Sequence, residues 1–179
     1  GERQVHHRPD HDLAADHERQ LTTDGKDNEI LNGQNDWVYW EEIWNRQATG
    51  FWWSPDSQRI AYYRFDDRAV ATYPLLDERG TYPDIRWQRY PKAGEVNPTV
   101  RIRVVELATA DSPAAGDAYL ARVHWRPDNA RIAVERLNRD QTELNLLLCD
   151  PRSGACEAIA RQTSATWVNV SNEFHFMSD

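Results

Sequence analysis

Apolar and polar residues alternate with a period of two in two stretches of the chain, and the same turn precedes both. Residues 53–57 (WSPDS) lead into Ile60 and Tyr62, and residues 125–129 (WRPDN) lead into Ile132 and Val134. Proline presets φ for a turn and aspartate can bond its own backbone, so each copy predicts an aromatic strand end, a turn and an alternating β-strand.

Repetition of this unit predicts the architecture. Repeats spaced by roughly 50 to 70 residues, each one a short antiparallel sheet, are typical of β-propeller blades. In the second unit, residues 144–149 (LNLLLC) predict a buried strand, 150–154 a turn and 156–161 an outer strand, while 19–25 resembles the outer strand of a preceding blade. A partial third copy begins at Phe176. We therefore expect an all-β chain with two full blades, parts of two others and hardly any helix.

The tryptophans of the repeats are predicted to lie in the core, because they sit at strand positions and carry large apolar area. These residues are Trp52, Trp53, Trp125 and Trp167.

Two stretches exceed the length of the repeat. One is an inserted turn at 36–50, and the other is an insertion at 64–100, which is rich in proline and aromatic residues. Insertions in repeat proteins map to loops and arms, where function is often located. The polar, His/Asp-rich segment 1–18 precedes the part that we assign to the propeller, 19–179.

The inserted turn at 36–50 contains the run DWVYWEEIW, in which Glu41 and Glu42 stand between four aromatic residues. Adjacent carboxylates repel each other, and each is stabilised by a positive charge within about 4–6 Å. An ammonium group, such as the free amino terminus of a peptide, is a compact cation with three donors and suits such a pair. The alternative is a solvated pair on an exposed helical turn.

Composition narrows the possible partners. The chain has 40% hydrophobic and 28% charged residues with eight Trp and seven Tyr, which indicates a folded protein. Its net charge of −8, with no basic stripe to offset it, argues against nucleic acid as a partner. Residues 1–18 contain four histidines and three aspartates, and such mixtures sometimes bind zinc. A polar loop is the simpler interpretation, and no metal or cofactor is predicted.

Three ordered motifs resemble the N-terminal propeller of dipeptidyl peptidase IV: DWVYxEE at 36–42, FWWSPD at 51–56 and YPKAGxxNPTV at 90–100. The resemblance implies an eight-bladed propeller set over an α/β-hydrolase domain, which together release Xaa-Pro or Xaa-Ala dipeptides from peptide amino termini. Shorter matches continue at 119–120, 137–141, 149–150 and 166–168.

The resemblance also implies roles for particular residues. The family's double-glutamate motif, which anchors the substrate ammonium, falls on Glu41 and Glu42, whereas Trp40 stands where the family often has a third acid. The insertion at 64–100 resembles the family's extended arm, which helps to build a homodimer. The alternative is a long loop folded on its own blade.

Cys149 and Cys156 flank a predicted hairpin turn at a separation that a disulfide tolerates. Two unpaired buried thiols are the alternative. The resemblance favours the disulfide, because the family pairs cysteines here and is exported. It implies a periplasmic, extracellular or membrane-anchored location for the parent protein.

The residues of a serine peptidase triad are not found in the sequence. No Gly-x-Ser-x-Gly motif occurs, and Ser54 belongs to a repeat turn. The chain starts at Gly1 without a methionine or a signal-peptide pattern, which suggests a piece of a longer protein that is inactive alone. Two rivals remain: a non-catalytic, peptide-binding relative of the family, and a structural propeller of the TolB type.

Overall fold

The computed structural model describes residues 20–105, 109–111 and 116–177, with the backbone alone at 109–111. Strands dominate these residues, and the named helical element is one π-helix, Tyr39–Ile43. In the described part of the chain, no helix has the length and hydropathy needed to cross a membrane. The predicted polar segment 1–18 lies outside the described residues.

The strands of the described residues, eleven in number, form two blade-like sheets and a separate hairpin. In chain order they are β1 (Ile30–Asn32), β2 (Phe51–Trp53), β3 (Ile60–Asp66), β4 (Thr72–Asp77), β5 (Asp84–Arg89), β6 (Thr99–Val105), β7 (Thr109–Asp111), β8 (Ala118–Trp125), β9 (Ile132–Asn138), β10 (Glu143–Cys149) and β11 (Cys156–Thr163).

The first sheet has the order β1-β3-β6-β7, and β2 pairs with the same strand as β1, so that β1 and β2 share one edge. The second sheet has the order β11-β10-β9-β8. Every pairing is antiparallel. This confirms the predicted all-β class, and the two copies of the repeated turn connect β2 to β3 and β8 to β9, as expected for an aromatic strand end, a turn and an alternating strand.

The core lies between the two sheets, where β8 packs against β2 and β6. Tyr63 and Phe65 of β3 are buried there together with Val134 of β9. A hydrogen bond also joins the sheets, since the Trp125 indole N–H donates to the carbonyl of Trp52 at 3.1 Å. The two sheets therefore pack face to face, and their edge strands β2 and β8 are in contact.

Some sequence predictions were wrong in detail. Residues 20–25 form no strand, because nothing in the described part of the chain pairs with them. The strand predicted to be buried, β10, is only half-buried apart from Cys149, since it lies beside the outermost strand β11, with β9 between it and β8. Trp53 is exposed at the end of an edge strand, and Trp167 is 63% exposed in the segment after β11.

Not all of the range 64–100 is an insertion, because its ends belong to β3 and β6 of the first sheet. The hairpin of β4 and β5 forms its own two-stranded sheet. Asn28 holds its base: the Asn28 amide donates to the Trp87 carbonyl at 2.9 Å and accepts the Arg89 N–H at 2.8 Å. The exposed aromatic and aliphatic side chains of the hairpin are Tyr73, Leu75, Leu76, Tyr82, Ile85 and Trp87.

Cys149 and Cys156 are directly opposite each other in the β10–β11 hairpin and form a disulfide with Cα atoms 4.1 Å apart. Asp150 organises the turn that they close: its carboxylate accepts the N–H groups of Arg152 and Ser153 at 2.8 and 2.9 Å. The outer hairpin is therefore cross-linked at its end.

Candidate functional site

The edge strand of the first sheet is split, and the glutamates lie in the segment that splits it. β1 pairs with residues 64–66 of β3 and β2 with residues 60–62. Between them, the Gly33 N–H donates to the Tyr63 carbonyl and the Tyr63 N–H to the Gly50 carbonyl, at 2.9 and 2.8 Å. The Gly50 N–H also donates to the Gly33 carbonyl at 3.1 Å. Residues 33–50, the excursion, thus leave the sheet and return to the same place.

Glycine at both ends allows this closure. Gly33 has φ +68°, a conformation that side chains disfavour. A Cβ on Gly50 would lie 3.0 Å from Asn35 Oδ1 and 3.2 Å from the Gln34 carbonyl carbon, tighter than ordinary contact. The Asn35 amide in turn donates to the Gln47 carbonyl at 2.8 Å across the excursion.

Asp36 begins the short helix that carries the glutamates. Its carboxylate accepts the Tyr39 N–H at 2.8 Å and its carbonyl accepts the Trp40 N–H at 2.9 Å, which satisfies donors at the helix start. Burial raises the pKa of Asp36 to about 6, although its backbone hydrogen bonds oppose the shift. Burial also raises the pKa of the nearby Asp67 to about 8, and the negative charges of Asp36 and Asp66 add to that effect.

Tyr39 fixes the first residue of the π-helix to the other sheet. Its buried hydroxyl accepts the Leu120 N–H at 2.8 Å, and the Tyr63 hydroxyl donates to the Leu120 carbonyl. Leu120 stands at a register shift in β8, with Ala121 as the extra residue. Such a bulge releases backbone groups from the ladder, and those of Leu120 are bonded by Tyr39 of the π-helix and Tyr63 of β3.

Arg122 contacts the last residue of the same π-helix. Its Nη1 donates to the Ile43 carbonyl at 3.1 Å and to the Ala121 carbonyl at 2.7 Å, and its Nε donates to Asn172 Oδ1 at 2.8 Å. The guanidinium carbon lies 4.6 Å from the centre of the Trp44 ring, a cation–π distance. Burial lowers the pKa of Arg122, and the Glu135 carboxylate opposes that shift.

Glu41 and Glu42 lie between these two attachments, on the π-helix as predicted. Glu42 is exposed to solvent. Glu41 Oε1 lies 3.2 Å from Arg46 Nη2, and the two side chains are 32% and 70% exposed. Arg46 is positioned by the positive φ of Asn45 and of Arg46 itself, at 47° and 67°. Both carboxylates can therefore be reached from solvent while their backbone is fixed.

The aromatic residues of the run divide into two groups. Tyr39 is buried, and Trp44 packs against the core with its ring 5.7 Å from that of Trp52. Trp37 and Trp40 lie on the other side, with ring centres 5.6 Å apart, and Trp37 also contacts Tyr90 at 6.0 Å. The first group packs against the core. The second extends towards Tyr90, which directly follows β5.

Among the residues with described side chains, no three His, Cys, Asp or Glu groups are close enough to hold a metal ion. The His/Asp mixture predicted as a polar loop lies outside the described residues. The site therefore consists of a carboxylate pair on a short helix that is held at its first and last residues.

A family model for the dipeptidyl peptidase IV (DPP IV) N-terminal region matches residues 11–179. The chain belongs to the dipeptidyl peptidase IV family. The crystal structure of Porphyromonas gingivalis dipeptidyl peptidase 4 superposes with a TM-score of 0.78 at 32% identity, over 87% of this chain and 23% of that one.

Curated relatives of the dipeptidyl peptidase IV family include both enzymes and a protein named as inactive. Dipeptidyl peptidase 4 of Bos taurus is 35% identical over 90% of this chain and 24% of its own length. Inactive dipeptidyl peptidase 10 of Mus musculus is 36% identical over 86% of this chain and 20% of its own length. The chain thus spans about a fifth to a quarter of the relatives that it matches.

Sequence reasoning found the glutamates but missed their supports. The role of Asp36 can be predicted from the sequence, because an aspartate just before a short helical run is a typical N-cap. Tyr39 is one of four aromatic residues around the glutamates, and nothing in the sequence distinguishes it from the other three. Arg122 carried no signal, since one arginine within an alternating strand predicts a solvated position.

Proposed function

We propose that this chain is the substrate-binding propeller portion of a serine dipeptidyl peptidase that releases Xaa-Pro and Xaa-Ala dipeptides from peptides with a free amino terminus. Glu41 and Glu42 bind the substrate ammonium. The nucleophile, its base and the oxyanion donors belong to an α/β-hydrolase domain of the parent protein, so this portion alone is inactive.

One observation supports the proposal above the others: the two carboxylates stand on an excursion of an edge strand that is attached at both ends to the neighbouring sheet. Sheet edges that converge in a propeller surround its central channel. A carboxylate pair fixed at that edge and reachable from solvent suits a small cation that arrives through the channel.

Fixing the ammonium would explain release of dipeptides in particular. An ammonium held at a set distance from the nucleophile places the second peptide bond at the reacting position, whereas a longer amino-terminal overhang collides with the glutamates. Ordering the reactants in this way lowers the entropic part of the barrier. The carboxylates act on substrate position and take no part in bond breaking.

The same proposal covers location and assembly. The disulfide Cys149–Cys156 fits an oxidising compartment, so we place the parent protein in the periplasm, outside the cell or on a membrane anchor. The exposed apolar hairpin of β4 and β5 is the surface through which the parent forms a homodimer.

The test replaces Glu41 and Glu42 with glutamine, singly and together, in the full-length protein. With an alanyl-prolyl p-nitroanilide substrate, the double variant should lose roughly a hundredfold or more in kcat/KM, mostly through KM, because charge-assisted hydrogen bonds are lost. Glu157→Gln, on the exposed strand β11, is the matched control and should behave as wild type. A double variant within twofold of wild type would contradict the proposal.

A non-catalytic, peptide-binding member of the family is the second candidate, because one of the most similar relatives is named inactive. In that case the glutamates would still bind the ammonium. The full-length protein would then bind an alanyl-prolyl peptide in calorimetry, with weaker binding in the glutamine variants, and release no product.

A further inference from the structure

The five-residue π-helix is attached at both ends to one strand of the neighbouring sheet. Its first residue, Tyr39, accepts the Leu120 N–H through its hydroxyl, and its last residue, Ile43, accepts a hydrogen bond from Arg122. Leu120 and Arg122 flank the bulged residue Ala121 in β8. The position of the helix relative to the second sheet is therefore set by one bulge.

Burial of the charged Arg122 side chain at this position is unfavourable unless other groups compensate it. Arg122 is only 7% exposed, and a buried cation is stable only with partners for its charge and its donors. Glu135 lies opposite it in the β8–β9 register and is buried as well. The donors reach Ile43, Ala121 and Asn172.

The arrangement requires a guanidinium in particular. Its planar fork donates in several fixed directions while its face lies on the Trp44 ring, whereas a lysine ammonium is a point charge that cannot do both. The carbonyl that it caps belongs to the residue directly after Glu42. Movement of that carbonyl moves the backbone of the glutamate pair.

We infer that Arg122 is a positioning residue for the ammonium site: it sets where Glu41 and Glu42 stand by capping Ile43 from the neighbouring sheet. The inference rests on the proposed function of the two glutamates. Arg122 touches no substrate. Its effect passes through the helix, and displacement of a positioning group by about 1 Å can cost on the order of a hundredfold in rate.

The experiment measures how strongly the full-length enzyme prefers an ammonium. The probes are alanyl-prolyl p-nitroanilide and propanoyl-prolyl p-nitroanilide, which differ only in the amino group. The ratio of their kcat/KM values reports the ammonium site, whereas a general loss of folded enzyme lowers both values together. Arg122→Met should reduce this ratio roughly tenfold, chiefly through KM for the alanyl substrate, and Arg122→Lys should recover part of it.

Arg59→Met is the matched control. Arg59 is also buried, lies 5.0 Å over the ring of Trp125 and donates to the Asn129 carbonyl at 2.7 Å, away from the glutamates. It should lower the melting temperature without changing the ratio. If Arg122→Met does not fold, Asn172→Ala decides the question, since it removes one partner of the guanidinium and should reduce the ratio about threefold.

The variant with glutamine at both Glu41 and Glu42 distinguishes failure of the inference from failure of the proposed function. If the ratio of that variant equals the wild-type ratio, the proposed function fails and the inference with it. If the glutamine variant loses the preference but Arg122→Met or Asn172→Ala keeps it, the inference alone is overturned. With the inference correct, adding Arg122→Met to the glutamine variant changes the ratio no further.

Discussion

The guanidinium of Arg46 lies 3.2 Å from the carboxylate of Glu41 and approaches it from the solvent side of the excursion. The backbone directs it there, since the Arg46 N–H donates to the Trp40 carbonyl and its φ is positive. Glu41 therefore has an internal counter-ion in the absence of substrate, and a bound ammonium would compete with it.

Arg46→Ala should therefore strengthen substrate binding. Exposed ion pairs contribute at most about 1 kcal/mol, so KM for an alanyl-prolyl substrate should fall by roughly two- to fivefold in the full-length enzyme. Arg68→Ala is the control, because Arg68 forms a comparable exposed pair with Asp66 outside the excursion. A KM that rises in Arg46→Ala would show that the arginine supports the site.

Removal of the Tyr39 hydroxyl should destabilise the protein, because this group joins the excursion of the first sheet to β8 of the second. Tyr39→Phe keeps the ring but leaves the buried Leu120 N–H without that acceptor, which costs about 1–3 kcal/mol of unfolding free energy. Denaturant titration of this chain measures the change. Tyr73→Phe, on the exposed arm, removes a hydroxyl without burial and should differ little from wild type. Equal stability of all three proteins would show that the hydrogen bond contributes nothing.

The buried carboxyls Asp36 and Asp67 make stability depend on pH. Their pKa values in the fold, about 6 and about 8, are above the ordinary 3.8, so the folded state binds protons more tightly than the unfolded chain. Their contribution is present below about pH 4 and is lost as pH rises through the folded pKa values. Taken together, the two carboxyls should lower the unfolding free energy by roughly 5 kcal/mol between pH 5 and 8.

Asp67→Asn should flatten that pH profile, because it removes the carboxyl whose pKa is raised further. Asp36, Asp66 and Arg89 are the charged groups that act on it and remain in place. The matched control is Asp140→Asn at an exposed turn position. A slope as steep in Asp67→Asn as in wild type would mean that another group is responsible.

The cross-linked outer hairpin gives a prediction on redox conditions. Replacement of Cys149 and Cys156 by serine should lower the unfolding free energy by about 2.5 kcal/mol, since the disulfide closes a loop with a sequence separation of 7. Hydrogen exchange should rise in β10 and β11 and stay unchanged in the excursion. Dithiothreitol should reproduce the effect in wild type and have none in the variant.

The sequence predicted local features better than contacts between sheets. The two Trp-x-Pro-Asp turns and the glutamate turn were identified because turn chemistry and adjacent charges act within a few residues. The role of Arg122 could not be predicted, because the extra residue Ala121 changes the alternation of side chains along β8. Trp53 and Trp167 failed as core predictions, since the burial of a tryptophan depends on which segments surround it.

The hydrogen bonds of Gly33 and Gly50 with Tyr63, and the one that joins the two glycines, make the register of the first sheet independent of the length of the excursion. Residues can be added or removed between the two glycines while β1 and β2 keep their partners on β3. A family built this way can vary the solvent-facing residues of the excursion while Tyr39 and Ile43 keep their contacts with β8. Transplanting the excursion into a related propeller that keeps those contacts with β8 should therefore carry ligand preference along with it.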